Sequence, residues 1–166
     1  MQQTKHQMRN IYKYILFFGI LALLGFSRKY LFVNINNQLY KLYYHNDSIQ
    51  IPANLNFLTN YSYSTLYYGK YFLTILFFAL YFVVSFLAVK FICTNKKITR
   101  WIVYIYALLL SLSIIAMGYN YLINNQLDGE EYTFSRWLMG IAQSPLVAFF
   151  TIATSKLYNS FNTNKI

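Results

Sequence analysis

Acidic side chains are nearly missing from this sequence: Asp47, Asp128, Glu130 and Glu131 are the only ones in 166 residues, against 14 Lys and Arg. None of the four falls within an apolar run, which excludes a relay of intramembrane carboxylates of the kind that marks pumps and many transporters. Cysteine occurs once, at Cys93. An intrachain disulfide and a cysteine-based metal cluster are therefore excluded. The two histidines, His6 and His45, stand far apart on either side of the first apolar run, so neither a histidine pair nor a Cys93–His45 dyad is expected to form. Phosphate loops and Ser-His-Asp arrangements are not discernible either. The sequence is read as that of a non-enzyme without cofactor or metal.

What is abundant is apolar and aromatic. Hydrophobic residues make up 57% of the chain and charged residues 11%, and Tyr (18) and Phe (15) dominate an aromatic share of 21%. That balance is far from a water-soluble domain and suits a bilayer, where tyrosine favours the headgroup region. The net charge of +10 does not indicate nucleic acid, because the basic residues punctuate apolar runs instead of forming a patch on a soluble surface.

Four runs approach the length of about 20 apolar residues that a crossing helix needs. They cover residues 11–27, 71–89, 101–123 and 137–155, and the last three contain no charge. The predicted fold class is thus all-α, a polytopic four-transmembrane-helix bundle in a single domain. The first run is the shortest. It is read as a retained anchor and not a cleaved signal, since Arg28 and Lys29 directly follow the small-x-small site Gly25-Phe26-Ser27. Trp101 and Trp137 open two runs as interfacial anchors.

Orientation follows from Lys and Arg near the run ends. With the N-terminus inside, Lys5, Arg9, Lys13, Lys90, Lys96, Lys97, Arg100, Lys156 and Lys165 are cytoplasmic, and Arg28, Lys29, Lys41, Lys70 and Arg136 are outside with all four acids. Both termini are expected in the cytoplasm of a bacterial inner membrane. The long outer loop, 28–70, is rich in Tyr, Leu and Ile and lacks the length and apolar core to fold alone. Within it Leu31, Ile35, Leu39 and Leu42 recur at helical spacing, which predicts a helix lying on the membrane surface or capping the bundle, and Ile51-Pro52 ends it.

The fourth run holds the most unusual local pattern. Arg136, Gly140 and Gln143 share one helical face, and Pro145 removes a backbone donor, which frees the Ile141 carbonyl and predicts a kink. A buried Gln143 needs a partner, either on the third helix at Ser111, Ser113 or Asn120, or in a polar pocket formed with Arg136 and Asn120. Arg28, Lys29, Lys70 and Arg136 are all read at outer ends of crossing helices, as a basic collar paired with the outer acids and lipid phosphates or as one that receives an acidic partner segment.

The Arg-aromatic stretch Arg28-Lys29-Tyr30-Leu31-Phe32, the Tyr-rich outer loop, and the Arg136 then Gln143-x-Pro145 pattern resemble the exosortase system-associated small membrane proteins of Bacteroidota. The likeness extends over nearly the whole chain, on short motifs. It implies an accessory role beside an exosortase in protein sorting, and it does not reproduce the Cys, Arg and His set of the exosortase itself, since Cys93 is expected inside. The candidate contacts for a partner or ligand are Arg28, Lys29, Lys70, Asn120, Arg136 and Gln143. The alternative is a small transporter or lipid-binding protein that uses the pocket at Gln143.

Overall fold

The computed structural model describes the backbone of residues 2–45, 48, 50–93, 96–124 and 132–163, and side chains from residue 11 onward except at 120–121, 123–124, 132–133 and 159–163. The described residues hold five α-helices, α1 (Gln2–Tyr44), α2 (Tyr63–Ile92), α3 (Lys96–Asn124), α4 (Tyr132–Ala142) and α5 (Leu146–Thr163), with a 3-10 helix at Ala53–Asn60 and no strand. Three helices, the described parts of α1, α2 and α3, are long and apolar enough to cross a membrane, and α4 with α5 makes a fourth if that bent pair is one span.

The first helix differs most from expectation. It does not stop at Ser27 but runs for 43 residues, about 65 Å at 1.5 Å per residue. Arg28 and Lys29 interrupt the apolar run without interrupting the helix, because both are good helix formers and no Gly or Pro lies between them and Tyr44. The helix expected from Leu31 to Leu42 is therefore the continuation of α1. Its inward stripe is Tyr14, Phe18, Leu21, Gly25, Arg28, Phe32, Ile35, Leu39 and Leu42, alternating steps of four and three, with Tyr14 and Phe18 against α5 and the residues beyond them toward α2.

Contacts along that seam fix the antiparallel register of α1 and α2. Phe17 stacks on Phe91 at 6.0 Å between ring centroids, Tyr81 donates its hydroxyl to the Leu21 carbonyl at 3.3 Å, and Phe32 meets Phe77 at 6.1 Å. The uncharged stretch of α2, from Tyr71 to Val89, thus lies beside α1 from near Phe17 to beyond Phe32. Arg28, just past the run at 11–27, therefore lies beside the uncharged stretch of α2 and not level with Lys70.

Beyond that stretch, Ile35 and Leu39 of α1, Leu55 and Leu58 of the 3-10 helix and Leu66 of α2 form a small buried cluster. The segment between α1 and α2 builds its core by borrowing the ends of the two long helices. Ser62 starts α2 as its N-cap, its Oγ accepting from the Thr65 amide at 3.4 Å.

At the other end Val89, Cys93, Ile102, Tyr106, Ala142, Val147 and Ile152 form the main core of α2, α3, α4 and α5. Lys156 of α5 sits over the Tyr14 ring of α1 at 4.6 Å, so the start of α1 and the end of α5 lie at the same end of the bundle.

The fourth run is not one kinked helix. Its halves meet at 58°, with Gln143-Ser144-Pro145 as the break. The reason is local. Ser144 takes the Ile141 carbonyl twice, through its amide at 3.2 Å and its hydroxyl at 2.7 Å, and its Oγ accepts from the Leu146 amide at 3.4 Å. The carbonyl that Pro145 would leave free is satisfied within the turn, and α5 starts afresh.

Candidate functional site

The polar groups singled out in the sequence fall into two places and not one collar. The first lies where α4 ends against α2. Gln143 is 2% exposed, and its Nε2 donates to the Thr74 carbonyl at 2.7 Å. The partner expected on α3 is thus found on α2, because the break at Gln143 turns the end of α4 toward that helix. Ser113, offered as a candidate, is engaged elsewhere: its hydroxyl lies 2.8 Å from that of Ser135 on α4, and Ser135 Oγ donates to the Ser113 carbonyl at 3.0 Å. Ser111 bonds its own helix at the Leu108 carbonyl. The side chain of Asn120 lies outside the described residues.

One turn from Thr74 toward the start of α2 is Lys70, whose carbonyl accepts from Thr74 Oγ1 at 2.9 Å. Lys70 is half-buried and close enough to Arg136 of α4 for the two charges to interact. This corner therefore holds two cations near the end of α2's uncharged stretch, and a buried amide deeper in. The Gln143 Oε1 is buried without a hydrogen-bond partner. The Asp and Glu residues offered as counter-charges all lie outside the described residues.

The second place is Arg28. It is half-buried in the α1–α2 seam, between the Leu21–Tyr81 and Phe32–Phe77 contacts. Its Cζ sits 5.4 Å from the centroid of the Phe32 ring, its charge is in range of the Tyr81 phenol, and its Nε is buried without a hydrogen-bond partner. Phe77 is seven residues from Lys70 along α2, so Arg28 lies about 10 Å from Lys70 along the helix axis. This register separates Arg28 from Lys70 along the bundle axis. Lys29, one residue on, is turned about 100° round the helix to the exposed side. There it lines an open groove of about 270 Å³ with Phe26, Tyr30, Val33 and Asn34.

The sequence reading passed over two buried amides on α1. Asn34 Nδ2 donates to the Tyr30 carbonyl at 2.8 Å, and the Tyr30 hydroxyl donates to Asn54 Oδ1 at 2.8 Å, which ties the 3-10 helix to α1. Gln38 is 2% exposed with its Oε1 unpartnered. Their spacing of four residues on the flank of the Leu31–Leu42 stripe was the available signal.

The cap is also rimmed by tyrosines. Tyr40, Tyr44, Tyr43, Tyr63, Tyr67, Tyr68 and Tyr71 form a connected set of ring contacts with neighbouring centroids no more than 6.1 Å apart. Among the described residues no group of three or more His, Cys, Asp or Glu side chains is placed to hold a metal ion. Compared with protein families, curated proteins and solved structures, the chain matches none.

Proposed function

We propose that this chain is a non-catalytic subunit of a bacterial inner-membrane complex, crossing the bilayer four times with both ends in the cytoplasm and binding another integral membrane protein through its outer half. The observation that carries the reading is the cap surface beyond α2's uncharged stretch. There Tyr40, Tyr43, Tyr44, Tyr61, Tyr63 and Tyr68 are each at least 40% exposed, on a base held rigid by the Ile35–Leu66 cluster. Aromatic surface of that extent, with tyrosine as its main component, is the composition of an interface. The resemblance of Arg28–Phe32 and of Arg136 with Gln143-x-Pro145 to exosortase-associated proteins names an exosortase as the first partner to try. Purification in mild detergent is expected to recover one stoichiometric membrane protein. A chain that runs alone under those conditions, and that fails to retain a co-expressed exosortase, would overturn the proposal.

A second reading has its own support: Lys70, Arg136 and Gln143 gather at one corner, as a site for an anionic lipid headgroup or small anion would require. Lipid mass spectrometry and flux assays on Gln143→Leu and Arg136→Ala separate the two readings. A bound species lost in both variants supports the site, and an unchanged lipid profile and flux removes it.

A further inference from the structure

Arg28 is a cation set at a core position of the α1–α2 seam. It takes the place of a core residue in the α1 stripe, between Leu21 and Ile35, which are 0% and 3% exposed. It faces Phe77 and Tyr81, near the middle of the Tyr71–Val89 stretch. Side chains on a helix lean toward its N-terminus, here toward the inner end of the bundle. On the outer side the Phe32 ring lies against the guanidinium. Outward snorkelling to the headgroups is opposed by both features, and the level of Lys70 is about 10 Å away along the helix axis.

Among the described residues no carboxylate neutralises this charge. The Arg28 Nε is buried and unpartnered, and the Tyr81 hydroxyl beside it is turned to the Leu21 carbonyl. The four acids of the sequence, Asp47, Asp128, Glu130 and Glu131, all lie outside the described helices. A basic side chain at hydrocarbon depth pairs with an acid, with backbone carbonyls or with water. Arg28 is only half-buried, and its neighbour Ser27 is small and exposed, which leaves room for a helix to approach from the lipid side.

We propose that Arg28 receives an aspartate or glutamate carried within a transmembrane helix of another protein, and that this ion pair is the assembly contact at depth. The inference rests on the reading of the chain as a membrane subunit. It adds the chemistry of the partner: a crossing helix with one carboxylate in its outer half, level with Phe77 and Tyr81 of this chain.

The test uses the full chain co-expressed in a bacterial membrane with a leucine-rich transmembrane helix bearing a single Asp stepped along its length. Association is read by energy transfer between fluorescent fusions. The Asp helix is expected to associate about tenfold more than the all-leucine helix at one depth only, the ratio of a well-made polar contact between helices. Arg28→Leu should reduce it to the all-leucine value, Arg28→Lys should keep most of it, and Lys90→Ala should leave it unchanged. Equal association of the Asp and leucine helices with the natural chain overturns the proposal. So does indifference to Arg28→Leu, or an anionic phospholipid that stays bound in native mass spectrometry and is lost on Arg28→Leu, since a lipid phosphate would then be the counter-charge. If the natural partner is recovered equally well with Arg28→Leu, this inference falls while the subunit reading stands. That reading falls separately, if the unmodified chain recovers no partner.

Discussion

Gln143 and Thr74 are joined by a 2.7 Å hydrogen bond from a side-chain amide to a main-chain carbonyl, and through it the break between α4 and α5 is pinned to α2. The two atoms of the amide fare differently, because Oε1 is buried without a partner. Gln143→Leu removes a bond and an unsatisfied acceptor together, so its expected cost in detergent unfolding is about 1 kcal/mol or less. Gln143→Glu is the sharper variant. A buried carboxylate cannot donate to Thr74, so the glutamate must stay protonated, its pKa raised above the ordinary value near 4.3. At pH 7 that costs about 3 to 4 kcal/mol. The sign is fixed by linkage: the variant is most stable below about pH 4 and loses stability progressively as pH rises from there to the raised pKa. A flat pH profile for Gln143→Glu would contradict the buried placement.

Gly25 and Tyr81 make a second prediction. A Cβ built on Gly25 would sit 3.1 Å from the Tyr81 hydroxyl, and that hydroxyl is the one held by the Leu21 carbonyl. Gly25→Leu overfills the seam and is expected to destabilise by about 2 to 3 kcal/mol. Gly25→Ala should cost less and be largely rescued by Tyr81→Phe, which removes the obstructing atom. A double variant no better than Gly25→Ala alone would show that the seam is not limited by this contact.

The parts of the fold that follow from a single helix were legible in the sequence, and those that depend on register between helices were not. The apolar runs of α2 and α3 and the disruption at Pro145 are local properties, and each is found where its residues predict. The Leu31, Ile35, Leu39 and Leu42 stripe was also legible, since the core it joins uses that same face. Arg28-Lys29 could not be placed against α2 from sequence, where a basic pair ordinarily marks the end of a span. Only the Phe17–Phe91 and Phe32–Phe77 contacts place it beside the middle of α2. Gln143 was legible as a buried amide, but its choice of Thr74 over Ser113 depends on a 58° bend whose direction no spacing encodes.

Ser113 and Ser135 share a reciprocal contact between α3 and α4, with their hydroxyls 2.8 Å apart and each reaching the other's carbonyl, at 3.3 Å and 3.0 Å. Small side chains that bond across helices let the backbones approach closely. A double-mutant cycle with Ser113→Ala and Ser135→Ala should return a coupling near the membrane-protein mean of about 0.6 kcal/mol, with an upper bound of about 1.7 kcal/mol. The hydroxyl–hydroxyl bond is lost in either single variant while the remaining serine keeps its bond to the other's main-chain carbonyl, so each single variant should cost less than the pair and the two together should sum to more than it. Additive single effects would mean that each serine bonds independently of the other.

The depth of α1 gives the last prediction. If α1 follows the register set by α2, the lipid-covered part of α1 extends past Arg28, to residues level with Thr74. Phe26 and Val33 are 74% and 47% exposed on the surface of the bundle, so lipid alone would shield them. Tyr40 and Tyr44, also exposed at 49% and 60%, lie beyond the level of Lys70 and would then face water. Single cysteines at these positions, in a chain with Cys93→Ser, are expected to react with a membrane-impermeant maleimide added outside in a two-level pattern. Phe26→Cys and Val33→Cys should stay unlabelled until detergent is added, and Tyr40→Cys and Tyr44→Cys should label at once. A boundary at Ser27 would instead expose Val33 along with the two tyrosine positions, and Arg28 would return to the membrane surface, where water and lipid phosphates would solvate it without any partner.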